Sequence, residues 1–261
     1  MKRLCYLIIG LTLIFSGCSA QKDIIFQTST IDALLAGLYD GDMSCGDLMK
    51  HGNLGIGTFD ALDGEMILLD SRIYQIKADG RVYEPDPSMK TPFATVCFFK
   101  PEKVLKIGTN MDYEDIERLI DQAALNQNLF CAIRITGNFK SMRTRSVPAQ
   151  KKPYPPLRAV TADQPEFDMK NVSGTIVGFR CPPYVKGVNV SGYHLHFISS
   201  DKNQGGHILS FEMLEGRCEI AVLNQFFLRL PEDIKDFGDT DLSKDRSKEL
   251  KEVEKGDTRK N

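Results

Sequence analysis

A chain of 261 residues is long enough for one large domain or for two small ones that share a site. Its 33 basic and 35 acidic residues leave a net charge of −2, so no basic excess argues for nucleic-acid binding. Outside the N-terminus no window is long and apolar enough to span a bilayer.

The N-terminus reads as a targeting signal. Lys2 and Arg3 supply the positive start, residues 4–15 the apolar run, and Ser16-Gly17-Cys18 resembles a bacterial lipobox whose cysteine would carry lipid. Phe15 stands where leucine is more usual, and a conventional secretory peptide cut near Ala20 is the other reading. Residues 1–20 are therefore set apart from the fold. The mature chain is expected to be exported, as a periplasmic or cell-envelope lipoprotein or as a secreted protein. Cys45, Cys97, Cys131, Cys181 and Cys218 then remain, an odd number without paired spacing and no disulfide framework. Cys97 and Cys131 lie in apolar runs and are expected to act as small core residues.

Taken in order, residues 24–27 suggest a strand, and residues 30–39 a helix capped by Ser29 or Thr30. A second short helix is expected over residues 44–50. Residues 54–69 read as strand, turn and strand, with Asp63-Gly64 as the hairpin signal and Glu65 heading the second strand. By spacing alone Glu65 is a solvated strand end. Residues 71–77 and 82–84 complete a meander, and residues 94–99 add a strand. Residues 112–126 place Ile116, Leu119, Ile120 and Ala123 at helical spacing, and residues 129–136 alternate as a strand.

Residues 139–150 break this pattern and lead into Pro153-Tyr154-Pro155-Pro156-Leu157. That loop is the best boundary between an N-terminal lobe, residues 21–150, and a β-rich C-terminal lobe, residues 151–237. Arg145, just before it, is solvated or structural on spacing alone, or else offers a two-pronged guanidinium to a carboxylate. In the second lobe strands are expected over residues 172–179, 187–198, 207–214 and 218–227. Residues 238–261 form a charged tail, expected to be a solvated helix or a frayed end. The class is α+β, with two mixed or antiparallel sheet lobes and a few flanking helices.

Three of the four histidines fall within residues 192–207. His194 and His196 are two apart, so on a strand they leave the same face. Asp201 to Gly206 is polar and ends in Gly205-Gly206, which is turn chemistry, and His207 opens the returning strand. A lone strand histidine is usually a satisfied core or surface residue, and a pH-sensitive polar patch is the bland reading of the cluster. Three imidazoles aimed at one place with an open position suit Zn²⁺ or another divalent transition metal.

Several separated runs resemble the α-acetolactate decarboxylase family. They are Ser29-Thr30-Ile31-Asp32-Ala33-Leu34-Leu35, Tyr39-Asp40-Gly41-Asp42, Gly55-Ile56-Gly57-Thr58-Phe59 and Leu62-Asp63-Gly64-Glu65. Arg145-Ser146-Val147-Pro148, the proline-rich loop, Gly192-Tyr193-His194-Leu195-His196-Phe197 and Gly205-Gly206-His207 follow in the family's order. The resemblance covers roughly residues 26–230 and fades in the tail. It implies an α+β fold enclosing a metal, usually Zn²⁺, on His194, His196 and His207. It also implies active-site roles for Glu65, Arg145 and a C-terminal glutamate, best matched by Glu254 with Glu252 as the neighbouring register. Thr58 is implied near the substrate, and members are commonly homodimers. The reaction so implied is metal-dependent loss of CO₂ from 2-acetolactate to give acetoin. A non-catalytic metal-binding lipoprotein of the same fold is the alternative, and a metal hydrolase the third reading.

Overall fold

The structure is a computed structural model and describes residues 23–124, 126–232 and 235–255; the segment read as a targeting signal, with Cys5 and Cys18, lies outside them. In chain order its strands are β1 (Ile24–Thr28), β2 (Met43–Ser44), β3 (Leu54–Thr58), β4 (Glu65–Leu69), β5 (Arg72–Ile76), β6 (Val82–Tyr83), β7 (Lys90–Thr91) and β8 (Ala94–Cys97). They continue as β9 (Lys103–Ile107), β10 (Met111–Asp112), β11 (Phe130–Arg145), β12 (Glu166–Cys181), β13 (Gly192–Ser199), β14 (Gly205–Leu223) and β15 (Gln225–Arg229). The helices are α1 (Ile31–Leu35), α2 (Cys45–Leu48), α3 (Tyr113–Ala123), α4 (Leu157–Thr161), α5 (Lys235–Asp239) and α6 (Ser247–Lys255).

The first sheet runs β15-β1-β8-β3-β4-β5-β6 and is mixed, because β15 lies parallel to β1 while the other pairs are antiparallel. The second runs β10-β14-β11-β12-β13, all antiparallel, with β9 also on β14. Residues 196–198 of β13 pair back onto residues 205–207 of β14, closing this sheet on itself. β2 and β7 pair as a separate two-stranded ribbon, and the expected α+β class with two large sheets is what the chain forms.

Sheet membership does not follow the halves of the chain. β11, which precedes the proline-rich loop, is flanked by β12 and β14 over its whole length, so it is central to the second sheet. The loop joins β11 to β12 within one sheet, and β15 crosses back to the first. β11 also runs to Arg145 rather than ending near residue 136. The polar residues that broke the alternation are cross-strand partners on its outer face: Lys140 reaches Glu212 and Arg143 reaches Glu166, each at 2.9 Å. β14 is likewise continuous from Gly205 to Leu223, where two strands, residues 207–214 and 218–227, were expected. Gly216 lies opposite Gly137, and a Cβ on Gly137 would stand 2.2 Å from the Glu215 carbonyl oxygen, so the glycine permits a close strand approach.

Local chemistry sets the helix ends. Thr30 caps α1 by accepting from the Ala33 amide at 3.2 Å, and the helix stops at Leu35 because Gly37 takes a φ of +95°. Asp112 and Asp115 form a reciprocal capping box on α3.

Side-chain alternation then builds the layers. Ile56, Ile67 and Ile76 of the first sheet meet Val177, Phe179 and Ile198 of the second in the inter-sheet core. Ile116 and Ile120 of α3 pack on the opposite face of the second sheet. The five cysteines of the described residues are free and buried, Cys97 and Cys131 among them as core residues. The tail differs from a fully solvated helix: Val253 of α6 is 1 % exposed, packed with Leu157, Val160 and Ile31, while Leu250 is partly buried beside them.

Candidate active site

Strand register brings the polar residues together at the junction of the sheets. His194 and His196 pair with Phe179 and Val177, so they project from the face of β13 that meets the first sheet. His207 is opposite His196 on one side and opposite Arg145 on the other. Across the junction Glu65 heads β4, paired with Thr58 of β3. Glu254 enters from α6, completing the set.

The turn that sets His207 is not the glycine pair. The chain reverses over residues 200–203, where Lys202 takes a φ of +58° and donates its amide to the Ser199 carbonyl at 3.0 Å. Gly205 and Gly206 belong to β14, and Gly206 has a φ of +135° with its Cα so close to β11 that a Cβ would lie 2.4 Å from the Arg145 carbonyl oxygen. Gly206→Ala is therefore expected to destabilise the protein by about 1–3 kcal/mol and to weaken metal uptake by moving His207. Denaturant unfolding and Zn²⁺ titration check this, and wild-type values in both would show that the backbone at Gly206 is not strained.

The three imidazoles present one ring nitrogen each within 4.8 Å of one another. His196 Nδ1 lies 3.0 Å from the Met66 carbonyl oxygen and is its natural donor, which turns Nε2 inward to 3.2 Å from His194 Nε2. His207 Nε2 lies 3.2 Å from the Glu254 carbonyl oxygen, while its buried Nδ1 has no hydrogen-bond partner among the described residues. Burial, then the Arg145 charge, pushes His194 down to about 3; burial first of all also holds His196 and His207 well below the usual histidine range. Neutral, convergent imidazoles with an orphaned nitrogen and a carbonyl fixing one ring fit a divalent metal.

Two carboxylates flank the imidazoles just beyond hydrogen-bond distance. Glu65 Oε2 lies 3.5 Å from His196 Nε2, and Glu254 Oε2 lies 3.9 and 3.8 Å from the Nε2 atoms of His194 and His207. Arg145, 4 % exposed, donates from Nη1 to Glu65 Oε1 at 3.1 Å and from Nη2 to the Val253 carbonyl at 3.4 Å. Its Nε has no hydrogen-bond partner among the described residues. Burial raises Glu65 to about 7, with Arg145 opposing and Glu254 adding to the rise; burial likewise raises Glu254 to about 7 against Arg145. The alternative glutamate, Glu252, points away and pairs with Arg158 at 2.8 Å.

Thr58 is 4 % exposed and lines the cavity, but its hydroxyl donates to the Gly64 carbonyl at 2.7 Å. It braces the turn that presents Glu65 and keeps only acceptor capacity toward a ligand. Sequence reasoning missed the Met66 carbonyl, a backbone group without a side-chain signature. It also missed the apolar wall of Leu34, Leu62, Phe93, Val147 and Val253, whose residues look like ordinary core.

Buried neutral imidazoles, a guanidinium–carboxylate pair and a second carboxyl in one apolar-walled cavity define an enzyme site for a small molecule, set between two sheets. The family model described as alpha-acetolactate decarboxylase matches residues 25–244. The chain is 45 % identical to the alpha-acetolactate decarboxylase of Methanosarcina mazei over 90 % of its length and 81 % of the relative's. It is 45 % identical to that of Methylococcus capsulatus over 88 % of both chains. The crystal structure of the alpha-acetolactate decarboxylase from Bacillus subtilis strain 168 superposes with a TM-score of 0.86 at 40 % identity, covering 89 % of this chain and 99 % of that one. The chain belongs to the α-acetolactate decarboxylase family and is an enzyme of the carboxy-lyase class.

Proposed function

We propose that this enzyme converts 2-acetolactate to acetoin and CO₂, with a divalent cation, Zn²⁺ before others, held by His194, His196 and His207. The observation that carries the reading is the convergence of Glu65, Arg145 and Glu254 on those imidazoles inside one cavity. A module that only stored metal would have no use for a buried guanidinium–carboxylate pair beside it.

Acetolactate carries its carboxylate on a carbon between a ketone and a tertiary alcohol. Breaking the bond to CO₂ leaves an electron pair on that carbon, and the neighbouring carbonyl accepts it as an enediolate. The substrate thus brings its own electron sink, and no organic cofactor is required. A bound cation would supply Lewis-acid stabilisation of the negative charge that develops on the substrate oxygens.

The chain's own residues do the rest. Arg145 orients the carboxylate through its planar fork, in competition with Glu65. The apolar wall excludes water, which strengthens each charge interaction inside. Glu65 delivers a proton to the carbon of the enediolate from one face, and Glu254 is its partner across the imidazoles. Burial keeps both carboxyls near neutrality in affinity for that proton. Delivery from one face gives one acetoin enantiomer.

Acetoin formation from racemic acetolactate by the mature chain tests this, before and after chelation and with Zn²⁺ restored. Activity is expected to vanish with the chelator and return with the ion. Stoichiometric metal binding without acetoin would overturn the decarboxylase reading in favour of a binding protein. Two further proposals accompany it: export with lipid on Cys18, on the residues of the leader, and a homodimer, on the family resemblance.

A further inference from the structure

The cavity is narrow around its chemistry. Glu65, Arg145, His194 and His207 are each 9 % exposed or less, and the cavity volume of about 40 Å³ has room for only a few waters at roughly 10–15 Å³ each. A substrate the size of acetolactate cannot enter unless part of the wall moves. His207 is paired on both sides, with Arg145 of β11 and His196 of β13, and residues 205–206 are paired with β13, so this wall is held by its ladders.

Ile31, Leu34, Leu62, Phe93, Val147 and Leu157 form the rest of the wall from inside the fold, and α6, near the end of the described residues, closes the side that faces an outer groove. Val253 lines the cavity, and Leu250 and Lys251 line a groove of about 990 Å³ on the outer side. Glu254 borders both, as does His207. The hold on α6 is slight for an element so placed. Val253 is its one fully buried side chain, with Leu250 partly buried beside it; the Val253 carbonyl accepts from Arg145 at 3.4 Å, the Glu254 carbonyl lies 3.2 Å from His207 Nε2, and α5 before it buries nothing. Glu252 Oε2 meets Arg158 Nε of α4 at 2.8 Å, with the arginine side chain 57 % exposed.

We propose that α6 is a lid that lifts to admit substrate, and that Arg158 is a positioning residue that latches it through Glu252. Latching seats Glu254 at the imidazoles, because Glu252 and Glu254 leave the same short helix on its outer and inner sides. The inference rests on the decarboxylase reading of the cavity. Its logic is general: closure that completes a site must be reversible, and an exposed ion pair is weak enough to release.

A reversible lock tests it. The doubly substituted chain R158C/E252C, joined by a short bis-thiosulfonate cross-linker, fixes α6 to α4, and the native cysteines of the mature chain are buried from the reagent. The linked protein is expected to form acetoin roughly tenfold more slowly or worse than the unlinked double variant, with dithiothreitol returning it to that variant's level. Full turnover in the linked form would overturn the lid. Absence of acetoin from the wild-type and reduced chains alike would instead strike the underlying reaction. Arg158→Ala is expected to lower kcat by roughly three- to fivefold, with Arg158→Lys restoring it. Hydrogen exchange gives an independent reading: amides of residues 247–255 should exchange faster than those of β14 and slow with a non-reacting substrate analogue. Protection of α6 equal to that of β14, unchanged by the analogue, would also overturn the proposal.

Discussion

Glu65→Gln is expected to keep the fold and the metal yet lower kcat by roughly 10²–10⁴-fold, the contribution of one positioned proton donor. The amide matches the carboxyl in size, and its oxygen can still accept from Arg145 Nη1, now at 3.1 Å from Glu65 Oε1. What the variant lacks is the proton. Glu65 is 6 % exposed, and burial sets its proton affinity at about 7, with the nearby guanidinium working against that rise and Glu254 working with it. A carboxyl so poised can both give and regain a proton near neutral pH, which an amide cannot do. Metal content, kcat and the enantiomeric composition of acetoin report separately on ligand set, proton delivery and facial control. Acetoin formed at the wild-type rate would remove Glu65 as donor, and Glu254→Gln should then carry the loss. If both carboxyls act as one unit, the double variant will be little worse than the more damaging single one.

How much of this was legible in the chain depends on the range of the interactions. The histidine cluster was readable because a strand repeats every two residues and a polar hexapeptide separates His196 from His207. Only the turn was misplaced, since Gly205-Gly206 serves strand contact and not reversal. Spacing alone made Glu65 a solvated end; burying it takes the second sheet, whose packing a local pattern does not encode. The parallel pairing of β15 with β1 joins residues about 200 apart and leaves no local trace. The tail is the sharper case. Leu250 and Val253, three apart amid charges, were the whole apolar signal of α6, and they decide that Glu254 faces inward while Glu252 faces Arg158. Composition favoured solvent for that helix; two apolar side chains decide otherwise.

Arg145→Met is expected to lower kcat/KM by about 10²–10⁴-fold, from two charge-assisted bonds at roughly 1.5–3 kcal/mol each. The guanidinium does two jobs that one substitution removes together. On the proposed reading it offers a planar fork to the substrate carboxylate, and its charge lowers the proton affinity of Glu65 and Glu254 against burial. Without it, burial acts unopposed, so both carboxyls are held protonated to higher pH. That neutralisation lets the variant fold, since no bare carboxylate is left buried beside an apolar side chain. Arg145→Lys separates the two jobs: the ammonium keeps the charge near Glu65 but is a point donor without the fork. The lysine variant should therefore hold the wild-type pH profile of kcat while KM for acetolactate rises, and the methionine variant should change both. If lysine restores KM as well, a single charge suffices and the two-pronged recognition of the carboxylate is wrong. Unchanged kcat and KM in Arg145→Met would leave Arg145 as a structural partner of Glu65 alone, and the carboxylate would have to be bound by the imidazole side of the cavity.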